Sequence, residues 1–162
     1  MANKDNPHGF TLAGPMLSAH EYIKSTAAAI YPGDMVAFDA GGVTGGKIAV
    51  AAAGGTQLVG VALKYVAATG TTILVADDPD QTYYGQCDAT TLVANANYEL
   101  VATVGNATRL KSQHEIDSGA GTMASAQIRV LKIHPADAAT ANSRHMFVIN
   151  EHVWAKKLTT VT

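Results

Sequence analysis

Tyr31-Pro32-Gly33-Asp34-Met35-Val36 opens, and Tyr83-Tyr84-Gly85-Gln86-Cys87-Asp88 closes, the stretch whose reading decides the fold. Between them Val59, Val61, Leu63 and Tyr65 alternate with smaller or polar neighbours, and Thr71-Thr72-Ile73-Leu74-Val75 forms a second apolar, β-branched run after a glycine turn at Gly70. Period-2 alternation and β-branched runs are the pattern of half-buried strands. Turn residues recur at Gly33-Asp34, Gly41-Gly42, Gly45-Gly46, Gly54-Gly55, Gly70 and Asp77-Asp78-Pro79-Asp80. Such spacing predicts short antiparallel strands near 34–38, 47–52, 57–66, 71–76 and 82–88. The fold class expected is all-β: a small antiparallel barrel or sandwich, a jelly roll among the options, with an extended N-terminal arm over 1–30 and the β-domain over 31–162.

Downstream, 98–104 alternates again, and 127–133 and 144–150 read as strands. The apolar parity of the 127–133 strand switches between Val130 and Leu131, which predicts a bulge or burial on both faces. Residues 118–121 read as a loop, and 137–143 as a small-residue turn region. Upstream, residues 1–30 begin polar, carry Pro7, Gly9 and Gly14-Pro15, and space Phe10, Leu12, Met16 and Leu17 without helical period. A segment of this kind orders only by lying on something else. Ser18-Ala19-His20-Glu21 has capping-box spacing and Ala27-Ala28-Ala29 favour helix, while Pro32 opposes helix at Tyr31. The expectation for 19–30 is extended structure followed by one helical turn.

Composition narrows the class. The 162 residues suffice for one domain with a core. The hydrophobic fraction of 48% is mostly Ala and Val, with only 6% aromatic, so each buried side chain contributes little area. Oligomerisation is one remedy. Net charge is −2, from 11 Lys+Arg and 13 Asp+Glu without a basic run, which argues against nucleic acid as partner. A single cysteine forms no intrachain disulfide and suits a reducing cytosol. No apolar run approaches the ~20 residues that span a bilayer, and the N-terminus carries no signal-peptide core, so no membrane is expected.

The chemical motifs favour plain readings. Gly41-Gly42-Val43-Thr44-Gly45-Gly46 precedes a strand rather than a helix, which fits a hairpin better than a phosphate cradle. Asp77, Asp78 and Asp80 lack the spaced oxygens of a calcium loop and suit an Asx turn around Pro79. Among the six His, His134, His145 and His152 make no HxH or HxxxH pair, so no metal or other cofactor is expected. No serine lies in a nucleophile elbow, and Cys87 reads as a half-buried structural thiol; the chain is expected not to be an enzyme. Of the adjacent Tyr83 and Tyr84, one faces the core and the other is a candidate contact at a subunit interface.

The ordered set Gly9-Phe10, Glu21-Tyr22-Ile23, Tyr31-Pro32-Gly33-Asp34-Met35-Val36, Leu58-Val59-Gly60-Val61-Ala62 and Val75-Ala76-Asp77-Asp78-Pro79-Asp80, with Gln127-Ile128-Arg129-Val130-Leu131 and Phe147-Val148-Ile149-Asn150-Glu151-His152, resembles a family of small tailed-bacteriophage capsid decoration (cement) proteins. The resemblance implies a structural virion protein, made in the host cytoplasm, that binds the outer surface of a phage head and clamps neighbouring major capsid protein subunits. It also implies a homo-oligomer, a homotrimer ahead of a homodimer, with an extended arm. Residues 90–97 and 118–122 fit the family pattern poorly. On this reading Phe10, Leu12, Met16 and Leu17 contact the capsid, and Tyr83 and Tyr84 contact other subunits. The rivals are a small-molecule or sugar-binding jelly roll of cupin type, which needs convergent polar groups in a pocket, and another virion component such as a head fibre base or tail protein.

Overall fold

The structure is a computed structural model and describes residues 3–25, 27–39, 45–119 and 126–155. Eleven strands are present among these: β1 Thr11–Leu12, β2 Ala19–Lys24, β3 Met35–Phe38, β4 Lys47–Val50, β5 Leu58–Ala62, β6 Thr72–Ala76, β7 Tyr83–Gln86, β8 Asn97–Val101, β9 Glu115–Asp117, β10 Ile128–Ile133 and β11 Arg144–Ile149. They form a closed barrel, β2-β4-β3-β5-β6, and a six-stranded sheet, β1-β7-β11-β10-β8-β9. The chain is thus all-β, as its alternation predicts. Every pairing between named strands is antiparallel except β2 with β4. No helix of the described residues is long and apolar enough to cross a membrane.

The wall between the two bodies explains why the central stretch reads so apolar. All four residues of β3 and all five of β5 are buried. Val36 and Phe38 point into the barrel with Ile30, Ile48, Val59, Ile73 and Val75. Met35 and Ala37, with Leu58 and Val61, face a second core containing Tyr83, Leu100, Ile116, Ile128 and Phe147. A strand buried on both faces loses the polar half of its alternation. The register of β3 with β5 slips between Val36 and Ala37, and this bulge lets β5 serve both cores. Gly60 sits there because a Cβ would collide with the Ala76 carbonyl of β6, a backbone atom that cannot swing aside.

Closure of the six-stranded sheet is nearly reached. Cys87, one residue beyond β7, bridges Ile116 of the edge strand β9, so that edge curls round to the strand next to the opposite edge. The parity switch in β10 is a bulge: Val130 pairs Phe147 and Lys132 pairs Met146, leaving Leu131 extra.

The arm expected over 1–30 is woven into both bodies, and this corrects the division at residue 30. β1 adds to the edge of β7, with Thr11 opposite Tyr84 and Leu12 opposite Tyr83. β2 closes the barrel, pairing five residues with β6 and two with β4. The extended half of the expectation for 19–30 holds at 19–24. The helical turn does not form among the described residues that follow, where 27–28 bend and Ile30 bridges Val66. Instead of starting a helix, the Lys24 ammonium is buried and donates to the carbonyls of Ala28, Ala67 and Ala68. The short strand β9 carries too few residues for a pattern and was not anticipated. β3 and β4 pair antiparallel, as a hairpin between them requires, but residues 41–44 of the glycine-rich stretch lie outside the described residues.

Candidate functional site

Between β1 and β2 the chain carries a loop, 13–18, on which Met16 and Leu17 are 52% and 53% exposed. Large apolar side chains on a surface are ordinary when the backbone beneath them is loose; here it is fixed. The Leu17 N–H donates to Oε1 of Gln81 at 2.9 Å, and Gln81 Nε2 donates to the carbonyls of Pro15 and Thr82. Gln81 is itself only 1% exposed. The N–H of Ala13 donates to the Thr82 carbonyl, so the loop is tied down at both ends.

Its exit is tied harder. Asp77, at the end of β6, accepts the Ser18 hydroxyl at 2.7 Å, His20 Nδ1 at 2.8 Å and the Tyr22 hydroxyl at 2.6 Å. Burial pushes the Asp77 carboxyl up, but these three hydrogen bonds outweigh it and hold it below its ordinary value. Burial first, then Asp77, pushes the Tyr22 phenol up to about 12, so it remains a donor. Ser18 serves this carboxylate rather than capping a helix. The signal for the brace was present in the sequence: Ser18, His20 and Tyr22 alternate on one face of a strand.

The other predicted contact residues divide by burial. Phe10 is a core residue, which corrects its assignment to capsid contact: its ring meets Phe147 edge-on at 4.9 Å and its N–H donates to the Gly33 carbonyl. Gly9 places it there with a positive φ of 74°, in a space where a Cβ would strike Ser112 and the Gly33 carbonyl. Leu12 is half-buried against the same core. Tyr83 is fully buried and its hydroxyl donates to the Ala76 carbonyl, so it is no contact residue of the folded chain. Tyr84 points outward, half-buried, its ring against His134. Ile23, Val93, Val104, Leu110 and Trp154 are further exposed large apolar residues that sequence patterning did not single out, and Tyr65, read as part of a strand alternation, is exposed as well.

The histidines stay apart. His145 is buried, with Nε2 accepting from the Leu92 N–H and meeting the Ser143 hydroxyl at 2.9 Å. His152 is buried beside β5, and His134 lies in a cluster with Asp137 and Arg144. Among the described residues no group of three His, Cys, Asp or Glu is placed to hold a metal ion. Asp78 caps the expected turn, accepting the Asp80 N–H at 2.8 Å. Cys87 is more buried than expected, and burial pushes its thiol up.

No protein-family model matches the chain, and no curated protein matches it significantly. The chemistry of the loop therefore rests on its own residues. Because the backbone is already fixed, burial of Met16 and Leu17 by a partner costs their rotamer freedom but no further loop-ordering entropy.

Proposed function

We propose that this chain is a non-enzymatic structural protein of a bacteriophage virion, which binds the outer surface of the head and stabilises contacts between major capsid protein subunits. The observation that supports it is the braced loop. Met16 and Leu17 stand out from a backbone fixed through the buried Gln81 amide, as anchor residues of an interface do. Tyr84 and the exposed face of β2 at Ile23 offer further contact surface for a second copy or for the capsid. A homotrimer, with a homodimer as the second choice, is the assembly proposed. Many copies at symmetric sites add stability that one copy could not.

Co-sedimentation of the full chain with undecorated phage heads tests this, with light scattering giving its mass. Saturable binding at a fixed ratio to the capsid subunit is expected. The double change Met16→Ser, Leu17→Ser should weaken binding by about tenfold or more, since truncated anchors commonly cost 2 kcal/mol or more. Absence of binding by the folded chain would refute the proposal.

A further inference from the structure

Between β1, the edge strand of the sheet, and the end of barrel strand β5 lies a surface groove of about 470 Å³. Its apolar walls come from three segments: Leu12 of β1, Leu63 just beyond β5, and Leu110 of the loop before β9. Leu12 and Leu63 are half-buried and Leu110 is 45% exposed, so all three are accessible to a ligand. The buried Phe10 and Val61 lie behind them.

A second cavity of about 390 Å³, with Asn106 and Gln113 among its polar walls, adjoins the first. The two share His8 and the cations Arg109 and Lys111. Both cations are exposed, and neither enters an ion pair among the described residues. Asp5, a carboxylate of the second cavity, accepts from the Gln86 amide instead. An apolar trough thus ends at two cations that the fold leaves unmatched.

The loop that carries them is held in shape. The N–H groups of Asn106 and Lys111 each donate to the other's carbonyl, and Asn106 Oδ1 accepts the N–H groups of Thr108 and Arg109. The Ser112 N–H donates to the Pro32 carbonyl, which ties the loop to the turn at the head of β3. Within this frame Leu110 sits at a φ of 51°, in the left-handed region that bulky side chains avoid. Its side chain then lines the groove while its two cationic neighbours stand at the rim. Strain of this kind persists only where the surroundings impose it, and it collects at functional sites.

We propose that this groove binds a medium-chain fatty carboxylate, whose head group is held by Arg109 and Lys111 and whose alkyl chain lies along Leu12, Leu63 and Leu110. The volume falls within the roughly 300–1,000 Å³ of small-ligand sites. A guanidinium offers a carboxylate two parallel N–H donors, and the lysine adds a second charge. A neutral alcohol matches the walls but not the cations, and an alkylammonium ion meets like charge. The site goes beyond the capsid contact proposed above and does not depend on it, since that contact lies on the loop of Met16 and Leu17.

The test is a titration of the full chain with sodium butyrate, hexanoate and octanoate at constant ionic strength, followed by the NMR methyl signals of Leu12 and Leu63. Saturable shifts are expected, with affinity rising about threefold to fourfold for each methylene removed from water. 1-Octanol and octylammonium should bind at least about tenfold more weakly than octanoate, because charge-assisted hydrogen bonds are lost. Added sodium chloride should weaken octanoate far more than 1-octanol. Arg109→Gln with Lys111→Gln alters exposed side chains only, and should cost octanoate about tenfold while sparing 1-octanol. Leu110→Gly relieves the positive φ, so the fold is kept, yet it should weaken every member of the series. Nα-acetyl-leucyl-leucine presents a peptide carboxyl terminus of the same charge and should bind more weakly than octanoate. Non-saturable shifts, a flat chain-length series, equal binding of 1-octanol, tighter binding of the peptide, or unchanged octanoate affinity in either variant would overturn the proposal.

Discussion

Asp77 shows how one residue can set the position of a whole segment. Its carboxylate gathers three side-chain donors from β2 and the residue before it, so the barrel's first strand is locked to the end of its last. Asp77→Asn keeps the shape but forfeits the charge, and should lower stability by about 2 kcal/mol at pH 7, as hydrogen bonds to a charged group are worth. The native carboxyl lies below its ordinary value of 3.8. Its stabilisation is therefore complete above that value and lost as pH falls below it, through the lower native one. Urea unfolding of parent and variant should show a gap at pH 7 that narrows below about pH 4; a gap independent of pH would point to packing instead.

Among the elements, β1 has the largest consequence for its size. Two residues long, it brings Phe10 into the sheet core, with Gly9 allowing the approach. Removing residues 1–17 therefore removes core as well as surface. Loss of a buried Phe alone costs about 3–5 kcal/mol, so the truncated chain should show a much lower urea midpoint or no cooperative transition. An arm that only lay on the outside of a β-domain over 31–162 could be cut without this loss. The Met16→Ser, Leu17→Ser variant should instead keep the parent's unfolding free energy to within about 0.5 kcal/mol per change, the usual range for surface substitutions.

For the whole molecule, buried titratable groups determine how stability depends on pH. Burial holds His114 and His145 down to about 4, against 6.5 unfolded, and lowers His152 as well. Burial, with Asp5 and Asp88 nearby, pushes Glu115 up to about 7 from 4.5. Between pH 4.5 and 6.5 the unfolded chain binds the protons of these three histidines, while the native chain sheds them and retains the one on Glu115, with burial also raising Asp34. Stability should therefore rise with pH across that window, by about 1.4 kcal/mol per unit for each net proton. Near pH 7 the raised Glu115 carboxyl loses its proton, and stability should fall slightly as pH passes 7. Glu115→Gln should remove that decline; urea midpoints at pH 5, 6.5 and 8 read both effects.

The sequence by itself determined the all-β class, eight of the strands and the Asx turn at Asp78, because each is written in local alternation or turn chemistry; the parity switch at Leu131 left a bulge or two-faced burial open, and the pairing of β10 with β11 decided for the bulge. Only the tertiary structure decided that Phe10 and Tyr83 are core, that residues 1–30 belong to both bodies, and that β7 leaves the barrel for the other sheet. Pairing partners lie far apart in sequence, as β1 does from β7, and no local pattern records which edge a two-residue strand will join.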